Sequence, residues 1–129
     1  KMQFDGITNS EFKELVYNYF GCNSCINYYG MIEQTGSVYM ECEHGYFHVN
    51  DYSDIIIRDH NLMKSKLGVK GIIQSISLLP KSYPGQSLLT EDVGIVHGHR
   101  GCKCGNQNTY FSVLGRLSKT VLRGCSDVY

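Results

Sequence analysis

The stretch Val69–Leu79, VKGIIQSISLL, decides the fold class. It is short, rich in β-branched residues and runs into the loop LPKSYPGQS (79–87), which holds both prolines of the chain. It reads as a strand. Five further stretches share its character: CINYY (25–29), SVYMEC (37–42), DIIIRD (54–59), GIVHG (94–98) and TYFSVLG (109–115), separated by Gly, Asn, Asp or Pro. Turn signals roughly every ten to fifteen residues predict an antiparallel sheet or small distorted barrel. One segment departs from the pattern. TNSEFKELVYNYFG (8–21) carries a T-x-x-E capping box at Thr8 and Glu11, apolar residues at Phe12, Leu15, Val16 and Tyr19, and a stopping Gly21. The expectation is an amphipathic helix packed beside the sheet with one buried stripe. The class is α+β, mainly β, and TVLRG (120–124) is a candidate last strand.

With 129 residues the chain suits one domain that buries about two-thirds of its unfolded surface. Twelve basic and twelve acidic residues cancel, so no net field draws it to nucleic acid or anionic lipid. No apolar run approaches the ~20 residues of a membrane span, and the start KMQFDG is not an export signal; the reading is a cytoplasmic protein. Lys1 is not an initiator, so the expectation is a piece of a longer polypeptide.

Six cysteines without an export signal favour metal binding or thiol chemistry over disulfides. CEHGYFH (42–48) and RGCKCGN (100–106) together offer Cys42, His48, Cys102 and Cys104, the four soft or borderline ligands of a closed zinc site. Gly45, Gly101 and Gly105 permit the tight turns that would aim them at one centre. Ordinary packing competes with this reading. A second set joins Cys22 and Cys25, a C-x2-C, to Cys102 and Cys104; it ranks lower because Cys25 runs straight into INYY, where a small buried hydrophobe suffices. A redox role for CNSC (22–25) ranks lower still, since that motif should open a helix. His44 is the nearest rival to His48, and His60, His97 and His99 read as surface or loop residues.

NYYGMIEQTGS (27–37) is a second candidate site. It ends a strand with Tyr29 and Gly30 and places Glu33 in the turn beyond, where a sheet can present an aromatic wall and an oxygen ligand to a nucleotide and its magnesium. The plain alternative is a turn with a surface glutamate.

NYYGMIEQTGS, LPKSYPGQSLLTEDVG, CKCG, YFSVLGRLSK and LRGCSDVY occur in this order in acyl-protein synthetases of the LuxE type, relatives of phenylacetate-CoA ligases in the adenylate-forming superfamily, and the chain resembles the last third of such an enzyme. The resemblance implies ATP, Mg2+ and a fatty acid or other carboxylic acid as substrates and cofactor, with an acyl-accepting partner such as a reductase. Tyr29 and Gly30 would border the adenylate, and Glu33 would bind magnesium. Ile32 replaces the family threonine that can bond the α-phosphate, with Gln34 or Thr35 as possible substitutes. Asp92 in LLTEDVG would accept from the ribose hydroxyls, and Arg116 in LGRLSK would reach ribose and phosphate. Ser118 and Lys119 fall at the family hinge, giving a nucleotide-binding body with a barrel-like subdomain over 1–117 and a hinge and shortened tail over 118–129. Cys125 matches the cysteine that takes the acyl group as a thioester, with Arg123 near enough to lower its pKa. The family's glycine- and serine/threonine-rich phosphate loop is not among these residues. Relatives also carry a structural Zn2+ on a comparable C…GxH…C-x-C set, which implies Cys42, His48, Cys102 and Cys104 here. The reading from a different class is a zinc-stabilised binding module without activity of its own.

Overall fold

Residues 6–117 are described by the structure, a computed structural model. Helix α1 (Asn9–Phe20) begins at the expected box: the Glu11 amide donates to Thr8 Oγ1 at 3.3 Å and the Thr8 amide to Glu11 Oε2 at 2.7 Å. Gly21 ends it in the left-handed region at φ 64°, where its amide reaches the Tyr17 carbonyl. The expected burial does not follow. No α1 residue is fully buried, and Tyr19 and Phe20 are 80% and 81% exposed, because among the described residues no second layer covers the stripe. Polar ties hold the helix instead. Lys13 Nζ and Asn9 Nδ2 reach the buried carboxylate of Glu41 at 2.5 and 2.7 Å, and the Asn27 amide adds a third donor.

Among the described residues seven strands follow: β1 (Tyr28–Tyr29), β2 (Tyr39–Glu41), β3 (Phe47–His48), β4 (Ser53–Arg58), β5 (Gly71–Ser77), β6 (Ser87–Gly98) and β7 (Tyr110–Arg116). They form one antiparallel sheet in the order β1-β2-β3-β7-β6-β5-β4. The sheet is open at β1 and β4, so of the two expected forms it is the sheet and not the closed barrel. Two meanders make it, β1–β3 and β4–β7, and among the described residues one non-local strand pairing joins them: Phe47 opposite Phe111 and His48 opposite Tyr110.

Alternate residues of each strand face one core. Ile55 and Ile57 on β4, Ile73 on β5, Val96 on β6 and Phe111 on β7 meet Tyr39, Phe47 and Val49 from the first meander. The sheet is strongly curled. Tyr29 on β1 donates its hydroxyl to Asp92 on β6 at 2.7 Å, although four strand steps would span roughly 19 Å in a flat sheet. Register shifts at Val93/Gly94 and Val96/Gly98 supply part of the bend.

Gly94 allows the closest approach there. A Cβ at this position would stand 2.6 Å from the Ser112 carbonyl oxygen and 2.7 Å from Ile73 Cδ1. Gly94→Ala should therefore lower stability by about 1–3 kcal/mol in denaturant unfolding. A variant as stable as the parent would show that β6 and β7 can spread at the bulge.

The β5–β6 connection and the turn after β1 complete the site scaffold. A 3-10 turn, Ile32–Gln34, follows β1 and rests against the loop 79–86. TVLRG, with the hinge and tail assigned to 118–129, lies outside the described residues.

Candidate functional site

Two similar turns build the cysteine cluster. After β2, Cys42 opens a turn in which its carbonyl accepts from Gly45 at 2.9 Å, with Gly45 at φ 78°. After β6, Cys102 does the same with Gly105 at 3.0 Å and φ 85°. A side chain at either glycine would strain that conformation. The β3–β7 seam then lays the first turn beside the second, and His48 enters from β3.

The ligand atoms of Cys42, His48, Cys102 and Cys104 all lie within 4.8 Å of one another. Cys42 Sγ is 4.0 Å from Cys102 Sγ, and Cys104 Sγ is 3.3 Å from His48 Nε2. Ligands around a tetrahedral zinc stand roughly 3.6–3.8 Å apart, so the four atoms fit such an ion, while 4.0 Å is far beyond a disulfide bond. Three thiols and one imidazole suit a metal. Burial favours the neutral His48 ring that a metal requires, and Nε2 is the nitrogen turned to the cysteines. Burial pushes the Cys102 thiol up from its ordinary value, whereas the Asn106 backbone holds Cys104 below its own. The His48 ring stacks on Tyr110 at 6.0 Å, which fixes its plane.

The rival residues do not join this group of ligand atoms, although Cys22 and Cys25 line a surface cavity together with Cys42. Cys22 and Cys25 sit in the loop between α1 and β1, Cys22 exposed and Cys25 half-buried, and His44 is against Glu43 at 3.5 Å. His97, expected as a surface or loop residue, is on β6, half-buried against the rings of Tyr46 and Tyr110 and bonded to Ser112 Oγ at 2.9 Å.

A second convergence involves Tyr29, Asp92 and Arg116. Asp92 and Arg116 are cross-strand partners on β6 and β7, and Arg116 Nε donates to Asp92 Oδ1 at 3.2 Å. Tyr29 occupies the other carboxylate oxygen. Its ring packs with Tyr39, Phe47 and Phe111 at 6.0, 6.3 and 6.0 Å, and burial, then the hydrogen bond to Asp92 and the Asp92 charge, raises its pKa well above the ordinary value. Tyr29 is thus a protonated donor. A carboxylate has about four acceptor positions, so Asp92 keeps roughly two for a further diol.

Three of the ordered sequence blocks, NYYGMIEQTGS, LPKSYPGQSLLTEDVG and the described part of YFSVLGRLSK, contribute β1, β6 and β7 to one sheet. The family model described as "Acyl-protein synthetase, LuxE" matches residues 1–129. The chain belongs to the LuxE acyl-protein synthetase family. No curated protein matches it. At family level the LuxE assignment makes the activity that of a ligase, an acyl-protein synthetase.

Within this LuxE chain, Gly30 follows β1 at a point where an added Cβ would stand 3.3 Å from the Ser37 carbonyl oxygen, and Glu33 is exposed on the following turn. Of the suggested substitutes for the family threonine, Thr35 is exposed and its Oγ1 donates to the Ile32 carbonyl at 2.9 Å, while Gln34 is fully buried with its amide bonded inside the protein. Sequence reasoning also missed Tyr39, Ser75 and Tyr83, which support this turn from beneath and beside it. Only their spacing from other apolar residues would have marked Tyr39 as interior. Cys125 lies outside the described residues, and no described helix is long and apolar enough to cross a membrane.

Proposed function

We propose that the chain is the C-terminal part of an ATP-dependent acyl-activating enzyme. A fatty acid carboxylate attacks the α-phosphorus of ATP, acyl-AMP forms and pyrophosphate leaves; a cysteine thiolate then attacks the acyl carbonyl and AMP leaves. A partner such as a reductase takes the acyl group onward. The observation that carries the reading is the meeting of Tyr29, Asp92 and Arg116 on a LuxE-family sheet. Asp92 is oriented from both sides and retains acceptor capacity for the two ribose hydroxyls, while Arg116 keeps donors for a phosphate. The Tyr29 ring and the Gly30 backbone border the base.

Glu33 is the residue that would hold Mg2+, which supplies charge neutralisation on the phosphates when bound. The Glu33 carboxylate contributes a hard, exposed oxygen for that purpose. Cys42, His48, Cys102 and Cys104 would hold Zn2+ in a structural role, because four protein ligands leave no position for substrate. The loop that holds the β- and γ-phosphates belongs to the rest of the enzyme.

ATP–pyrophosphate exchange tests this. In the full-length enzyme Asp92→Ala should weaken ATP binding about tenfold to a hundredfold, the loss of one or two charge-assisted bonds. Glu33→Gln should slow exchange roughly a hundredfold with less effect on binding. The 129-residue chain alone should show none. Unchanged kinetics in both variants would remove these residues from the chemistry, and exchange by the isolated chain would show that it holds the phosphates itself.

A further inference from the structure

We propose that Gln34 is a positioning residue for Glu33, an inference that rests on the reading of Glu33 as the magnesium ligand. Gln34 is unusual for its place. It stands next to an exposed glutamate in a three-residue turn, yet it is fully buried. Its amide nitrogen donates to the Gly85 carbonyl at 2.7 Å and to the Ser75 carbonyl at 3.2 Å, and its oxygen accepts from Ser75 Oγ at 2.6 Å. Both amide hydrogens are used.

The bonds run in two directions from the turn. One ties it to the 79–86 loop, whose Tyr83 hydroxyl also donates to the Glu33 backbone carbonyl. The other enters the core: Ser75 Oγ gives its proton to Gln34, so it accepts from the Tyr39 hydroxyl at 2.7 Å, and the Tyr39 ring lies nearly parallel to Tyr29 at 6.0 Å and 21°. One amide therefore registers the Glu33 turn against the same ring stack that carries Tyr29. A carboxylate on a three-residue turn with no such anchor would sample many positions, and a magnesium ligand must be held to near-ideal octahedral geometry.

The measurable sign of positioning is the magnesium dependence of the reaction, which a merely structural residue would not move. In ATP–pyrophosphate exchange by the full-length enzyme, Gln34→Met should raise the Mg2+ concentration for half-maximal rate about tenfold. Binding of AMP, which needs no magnesium, should stay within about threefold by calorimetry, since Asp92 and Arg116 are untouched. Ile73→Val, a cavity in the same core, should lower the melting temperature without moving the Mg2+ midpoint. Tyr83→Phe removes a donor from a partly exposed side chain and should raise the midpoint about two- to threefold even if Gln34→Met fails to fold. Glu33→Gln run in parallel separates the two ideas. If it shifts the midpoint while Gln34→Met, or Tyr83→Phe where Gln34→Met does not fold, leaves it unchanged, positioning by this network is wrong and the ligand reading stands. If Glu33→Gln shifts nothing, the ligand reading fails and the inference falls with it. A shift in Ile73→Val equal to that in Gln34→Met also overturns it.

Discussion

Removing a zinc ion held by Cys42, His48, Cys102 and Cys104, the role proposed for them, should cost the protein about 4 kcal/mol and lower its melting temperature by roughly 10–20 °C. The expectation follows from what the ligands join. Cys42 and Cys102 are 60 residues apart in sequence and belong to different meanders, so an ion between them removes loop freedom from the unfolded chain much as a covalent bridge would. Zinc measured after purification without chelator should be one equivalent per chain, and Cys102→Ser should reduce it below about a tenth. The large effect arises because the cysteine lost is the buried one of the three, and the remaining thiols and imidazole cannot complete a tetrahedron. Stability should fall before pyrophosphate exchange does. Metal-free protein of unchanged melting temperature, or zinc that disappears with Cys22→Ser or Cys25→Ser instead, would show the assignment wrong.

The covalent acyl-enzyme should vanish in Cys125→Ser, a loss of at least about a hundredfold in hydroxylamine-sensitive label when full-length enzyme is given ATP and a labelled fatty acid. A thiolate attacks the mixed anhydride, a C–S bond forms, and the bond from the acyl carbon to the phosphate oxygen breaks with release of AMP. A serine hydroxyl at the same place is a far weaker nucleophile at neutral pH. Pyrophosphate exchange should stay within about threefold of the parent, since adenylation uses phosphate and ribose contacts and the transfer uses a thiol. Thioester label that persists in this variant would move the acceptor role to another cysteine or another protein.

The legible parts of this molecule were those fixed by near neighbours. Thr8, Glu11 and Gly21 mark the ends of α1 because a cap is made within three or four residues. The strand cores around Ile55, Ile73 and Phe111 follow from β-branched and aromatic density. Two-residue β3 escaped notice because Phe47 and His48 are too few to show a period. β6 is longer than GIVHG suggested: it begins at Ser87 and includes Thr90, Glu91 and Asp92, polar residues that read as a connection until Arg116 is seen opposite Asp92. The helix stripe was legible as a pattern and misleading as a position, since Lys13 and Glu41 decide where α1 sits. Cys42, His48, Cys102 and Cys104 could be grouped from ligand count and flanking glycines, but their proximity depends on a β3–β7 pairing that no local signal announces. Gln34 gave no sign at all, because a glutamine beside a glutamate and a threonine is ordinarily solvent-facing.

The seam between the two meanders bears on how the chain acquires its shape. Within each of the two meanders, β1–β3 and β4–β7, strands pair only with sequence neighbours, so each can zip early, whereas Phe47 and Phe111 are separated in sequence by β4, β5 and β6 and must find each other before their strands meet. Closure of the seam should then be the slow step, and in native-state hydrogen exchange the amides of residues 47, 48, 110 and 111 should open together as one unit. Tyr29 and Asp92 stand on opposite sides of that line. A nucleotide that engages both would act as a clasp across it, slowing exchange at residues it never touches.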